Sequence, residues 1–125
     1  MDRNRASRLR QMIVGLRVER TRIEERLLRR RRMLRASLIE RYLGTSEQKR
    51  TTPAYYLSFL HEGKTILKYV RQGKLLTVEP KTRAWSEYGR LLAEWVKVTR
   101  RLEATWRALG KAQSDKATVR DTLDE

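Results

Sequence analysis

Apolar residues follow a helical rhythm at both ends of the chain and a two-residue rhythm in the middle. Leu9, Ile13, Leu16, Ile23, Leu27, Leu34 and Leu38 recur at spacings of three, four and seven, the repeat that lines one face of an α-helix. No Pro interrupts this stretch, and Gly15 is its one weak helix former. The pattern predicts a single helix over residues 6–43, roughly 55 Å long at about 1.5 Å per residue. Arg20 and Arg30 occupy positions in its apolar seam. Such a helix cannot bury its stripe alone and requires a partner helix.

Gly44 breaks the pattern, and the polar run GTSEQKRTTP over 44–53 reads as a loop. In AYYLSFLHEGKTILKYV, residues 54–70, Tyr55, Leu57 and Phe59 alternate with Tyr56, Ser58 and Leu60, and Ile66, Lys68 and Val70 alternate with Leu67 and Tyr69. With His61-Glu62-Gly63-Lys64 as the turn, this predicts a β-hairpin. A second turn, RQGK at 71–74, precedes LLTVE at 75–79, which reads as a third strand ended by Pro80. The helical period then returns over 81–109, with Trp85, Tyr88, Leu92, Trp95, Leu102 and Leu109 in step and Gly110 as the expected C-cap.

The expected fold is α+β and mostly helical: two long antiparallel, coiled-coil-like helices joined by a β-hairpin. One domain over 1–110 is followed by a polar tail at 111–125. Trp85, Trp95 and Trp106 point in different directions around the second helix, so a further surface is expected, for a homodimer or for docking on a larger protein.

Charge changes the picture most. Thirty Lys and Arg against fifteen Asp and Glu leave +15 over 125 residues, with a pI near 11.0. Twenty-two of the thirty are Arg, whose guanidinium forks match phosphate geometry and stay charged. Residues 1–43 hold fourteen basic and five acidic side chains, a net of +9. A balance this basic implies a polyanionic partner, nucleic acid before an acidic membrane surface. On a helix the run Arg29–Arg32 would form a collar, with Arg22, Arg26 and Arg29 in one row and Arg31 and Arg35 in another. Like charges at these spacings cost a few tenths of a kcal/mol each, a penalty that bound phosphates would remove. In the hairpin, Tyr56 and Tyr69 are expected on opposed strands beside Lys64, Lys68 and Arg71, as a stacking platform with phosphate contacts. Simple packing of the same tyrosines against the helices is the alternative.

Candidate catalytic chemistry is sparse. His61 is the single histidine and there is no cysteine, so neither a His/Cys metal site nor a nucleophile–His constellation can be assembled. Gly63-Lys64-Thr65 lacks the upstream glycine of a phosphate-binding loop. Glu40, Glu62 and Glu79 stand isolated, unlike the clustered carboxylates of a two-metal nuclease. No enzyme activity, metal or cofactor is expected. The lack of an 18-residue apolar run, of an apolar signal stretch and of cysteine leads to the expectation of a cytoplasmic protein without membrane contact.

Glu40-Arg41-Tyr42, Tyr55-Tyr56-Leu57-Ser58, Gly63-Lys64 and Tyr69-Val70, in that order between two helical stretches, resemble an uncharacterised prokaryotic domain family. Its members carry a long helix ending in Glu-Arg-Tyr, a cysteine-rich loop, a tyrosine-rich hairpin with a Gly-Lys turn and a second long helix. The resemblance covers about 75 residues, 33–109, and implies the helix–hairpin–helix order. The family's loop cysteines are absent from GTSEQKRTTP, so no metal carries over.

These readings lead to a non-enzymatic nucleic-acid-binding accessory protein, DNA or RNA, serving as a small subunit of a larger nucleoprotein or mobile-element machine. The expected contacts are Arg22, Arg26, Arg29, Arg31, Arg32 and Arg35, helped by Lys64, Lys68, Arg71, Tyr56 and Tyr69. The alternative is a structural adaptor whose helices dock on a protein partner or homodimerise, with the charge serving an acidic surface.

Overall fold

A computed structural model describes residues 3–44, 52–114 and 123. The elements run α1 (Arg3–Leu27), β1 (Ser37–Arg41), β2 (Ala54–His61), β3 (Lys64–Val70) and α2 (Gln72–Gln113). Helix dominates, and a three-stranded sheet stands between the two helices in the chain. The chain divides into two compact units, Met1–Leu28 with Leu91–Glu125, and Arg29–Arg90.

The first unit is built on one apolar cluster. Ala6, Ile13, Leu16 and Ile23 of α1 join Leu91, Val98, Leu102 and Leu109 of α2, and Leu9, Leu27, Trp95 and Ala112 pack against them. Adding half-buried Arg20 and buried Thr105, burial alternates by three and four residues along both helices. Trp95 Nε1 donates to Glu24 Oε2 at 2.9 Å, which fixes one point of register. With the helices running in opposite directions from that point, Ala6 falls level with Ala112 and Leu27 with Leu91. Run in the same direction, α1 would leave Leu102 and Leu109 without cover, yet both are buried. Thr105 is accommodated because its Oγ1 donates to the Arg101 carbonyl at 2.7 Å.

The second unit is an antiparallel sheet in the order β1-β2-β3 with the first part of α2. Register pairs Ser37 with Ser58, Ile39 with Tyr56, Tyr56 with Tyr69 and Tyr55 with Val70. Side chains alternate between faces, so Leu38, Tyr55, Leu57, Phe59, Ile66 and Val70 share one face. That is the covered face. Val70 is buried, Tyr55 and Val70 share a cleft with Leu75, and Leu38 shares one with Thr82 and Trp85. The hairpin expected at 54–70 is present. Glu62 (φ 51°) and Gly63 (φ 78°) both take positive φ, as a two-residue type I′ turn requires.

Three sequence expectations are corrected. The helix expected over 6–43 ends at Leu27, and the collar Arg29–Arg32 lies in an irregular connector. The connector is tied down where the Leu34 N–H donates to the Lys81 carbonyl at 3.1 Å. On a helix Arg29 would face Arg26 and Arg32, and Arg31 would face Arg35, like-charge pairs that weaken it, while residues 37–41 gain a ladder of hydrogen bonds to β2 and a half-buried place for Leu38. Arg30 is therefore exposed outside any seam, and Leu34 and Leu38 keep a helical spacing without a helix.

The strand expected at LLTVE is helical, and α2 begins at Gln72 instead of Lys81. Leu75, Val78, Thr82 and Trp85 recur at three, four and three, and all are buried or half-buried. Pro80 stands inside the helix. It has no N–H for the Leu76 carbonyl, but Leu76 is exposed, so water can serve that group. Thirdly, Gly110 does not end α2. The helix runs to Gln113, where the Ser114 hydroxyl donates to the Gly110 carbonyl at 2.8 Å. Most of the expected loop (45–51) and tail (115–122) lie outside the described residues.

Candidate nucleic-acid interface

The second face of the sheet carries Ser37, Ile39 and Arg41 from β1, Ala54, Tyr56, Ser58 and Leu60 from β2, and Thr65, Leu67 and Tyr69 from β3. It is most open along β3 and at Leu60: Leu60 is 70 % and Tyr69 62 % exposed and Leu67 is exposed as well, while Ile39, Ala54, Tyr56 and Ser58 are half-buried. No Asp or Glu stands on it, and its one charge is Arg41. The paired strands place Tyr56 and Tyr69 directly opposite each other, with ring centroids 5.7 Å apart at 68°, an edge-to-face contact. The Arg41 guanidinium lies 5.7 Å from the Tyr56 ring centre, a cation–π distance. Ile39, Tyr56 and Tyr69 are in register across the three strands, and Arg41, opposite Ala54, reaches over to Tyr56 so that its guanidinium, Tyr56 and Tyr69 lie side by side.

The register separates residues that the sequence reading grouped. Tyr56 and Tyr69 come together as expected, but Lys64 and Lys68 project to the opposite face, level with His61 and Leu57. The correction follows from the two-residue period, since Lys68 and Tyr69 are neighbours and cannot share a face. β3 is an edge strand, and lysines there discourage another strand from pairing with it. Arg71 follows β3 directly and is exposed, its carbonyl accepting the Lys74 N–H at 2.9 Å. Arg41 was missed because its segment fitted the helical spacing. No local alternation marked it, since Leu38-Ile39-Glu40-Arg41 is two apolar residues followed by two charged ones.

The arginines of the expected collar have separate surroundings. Arg22 and Arg26 are exposed on α1 in the helical unit. They share a row four residues apart, but Arg29 lies past the helix end and cannot complete it. Arg29 and Arg32 are exposed on the connector. Arg31 is half-buried and pairs with Glu87 at 3.2 Å. The Arg35 guanidinium sits 5.9 Å from the Trp85 ring centre, and Trp85 stacks on Tyr88 at 6.4 Å and 12°. Arg31 and Arg35 thus anchor the connector to α2 instead of forming a helical row.

Beside Arg35 is a cleft of about 370 Å³ lined also by Ser37, Ser58, Phe59, Leu60, Thr65 and Trp85. It opens at the end of the bare face away from Arg41. Near the Arg41 end, the Tyr42 hydroxyl donates to Glu40 Oε1 at 2.9 Å. That hydrogen bond and the Glu40 charge raise the Tyr42 hydroxyl above its usual pKa of 10.0. Among the described residues no group of three or more His, Asp or Glu side chains could hold a metal, and no helix is long and apolar enough to cross a membrane. No known protein family, curated protein or solved structure matches the chain.

Proposed function

We propose that this protein is a non-enzymatic nucleic-acid-binding accessory protein, using the bare face of its sheet as the contact surface. The observation that carries the reading is the acid-free, partly exposed face on which Tyr56, Tyr69 and the Arg41 guanidinium lie side by side. An aromatic row with a guanidinium at its end offers stacking and phosphate contact together. The charge of +15 supplies long-range attraction for a polyanion. Arg29, Arg32, Arg35, Arg41 and Arg71 supply phosphate contacts in this reading. The resemblance in motif order to a prokaryotic family, and a place in a larger nucleoprotein or mobile-element machine, belong to the same proposal.

The test is fluorescence anisotropy with labelled oligonucleotides across a salt series. Five phosphate contacts should weaken binding about 10²- to 10³-fold between 50 and 200 mM salt. Absence of binding at 50 mM to any single strand or duplex overturns the reading. The competing adaptor reading has its own observation: Val14, Val18, Leu92 and Trp106 are exposed on the helical unit, Trp106 at 53 %. It is favoured if nucleic acid fails to bind and the chain sediments as a stable dimer.

A further inference from the structure

We infer that the strand bound on this face is single, its bases stacked on Tyr56 and Tyr69 and its backbone leading toward the cleft beside Arg35 and Trp85. The inference rests on the nucleic-acid reading and narrows it to one class of ligand.

In a duplex the flat faces of the bases are covered by their neighbours, so a ring on a protein surface has nothing to stack on. Only an unpaired, splayed base presents its face to an aromatic side chain. Three strands at a spacing of about 4.8 Å make a platform roughly 10 Å across before side chains are added. A major groove about 12 Å wide admits a helix or a two-stranded ribbon, not the face of a wider sheet. Presented face-on, Tyr69 would meet the outer backbone of a duplex and leave its ring unused.

With no carboxylate on the face, nothing repels a phosphodiester chain laid across it. Cations stand at its two ends, Arg41 over Tyr56 and Arg35 over Trp85. From Tyr56 to Leu60, which lines the cleft, is four residues, about 13 Å at the rise of a strand. Sheet surfaces that stack two or three bases work on this scale. The cleft of about 370 Å³ falls within the size range of small-ligand sites, so it can receive one further base between Phe59, Trp85 and Arg35. Its polar lining is hydroxyl-rich, from Ser37, Ser58 and Thr65, able to donate or accept toward a base edge. Because base faces and phosphates do the work, RNA and DNA single strands share the required chemistry.

The experiment uses the full chain with fluorescein-labelled 12-mer single strands, RNA and DNA, and the 12-base-pair DNA duplex, by anisotropy at 50 mM salt. The expected result is single-strand binding at least tenfold tighter than duplex binding. Tyr69→Ala should weaken single-strand binding about 5- to 150-fold, the loss that follows removal of one stacked base, and leave duplex binding unchanged. Tyr69→Phe should restore it, since the ring and not the hydroxyl stacks. Tyr69 is mostly exposed, so circular dichroism melting should hold within a few degrees, and the phenylalanine variant controls for any loss of sheet. Duplex binding as tight as single-strand binding, or Tyr69→Ala binding a single strand like the parent, overturns this inference while the nucleic-acid reading stands. No binding to any of the three ligands overturns that reading, and this inference with it.

Discussion

Arg20 tests whether the helical unit is held as described. It occupies a seam position between Leu16 and Ile23, both buried, and its Nε is buried with no hydrogen-bond partner among the described residues. In the opposed-helix register it falls level with Val98 and Thr99, and the Thr99 hydroxyl, buried as well, makes no hydrogen bond to it. Leaving such a donor without a partner costs about 1–3 kcal/mol, while the Arg stem already packs as an apolar chain. Arg20→Leu keeps the packing, removes the orphaned donor and adds a residue of equal helix propensity. The expected gain is about 1–2 kcal/mol, which for a domain this size raises Tm by about 4–10 °C. Thermal and urea unfolding followed by circular dichroism measure it, with Ile23→Ala as the opposite control, expected to lose about 2–5 kcal/mol. Oligonucleotide affinity should stay within twofold, since Arg20 belongs to the helical unit. A variant that melts below the parent refutes the reasoning: the guanidinium would then have an acceptor, and the seam would not run through position 20.

Gly63→Ala should cost about 1 kcal/mol in urea unfolding, because φ is +78° there while a Cβ meets no atom within 4 Å, so the loss is conformational alone. A double-mutant cycle on Arg31→Gln and Glu87→Gln should give a coupling of roughly 0.5–1 kcal/mol, the scale for partly exposed ion pairs; zero coupling would mean that the pair does not tether the connector. Spectrophotometric titration should show Tyr42 ionising above the usual 10.0, and Glu40→Gln should lower it. The sign follows from the raised value: Tyr42 favours the fold while protonated, and that contribution fades as pH rises through its folded pKa.

The sequence alone determined the features that depend on local periodicity. Seam residues from Leu9 to Leu27 and from Trp95 to Leu109 recur at helical spacing, and the structure puts them in one cluster. Tyr55 to Val70 alternate, and the hairpin follows with Glu62-Gly63 at its turn. The pairing of Tyr56 with Tyr69 was legible because a two-residue turn fixes every pair behind it.

What the sequence left open depends on partners far along the chain. Leu27, Leu34 and Leu38 satisfy a helix as well as they satisfy a helix, a connector and a strand. The choice falls to β2, whose free edge gives residues 37–41 a hydrogen-bond ladder that no local signal announces. LLTVE has strand-like side chains, yet Leu75 and Val78 continue the stripe of Thr82 and Trp85, and burial of a whole helix face outweighs β propensity. The same choice decides the candidate site. As a helix end, Arg41 would have been one more solvated cation; as the last residue of β1 it stands over Tyr56 on the bare face. The arginine run shows the converse: its charge is written in the sequence, but the partners that make Arg31 and Arg35 anchors, Glu87 and Trp85, lie about fifty residues on, and only the folded chain brings them within reach.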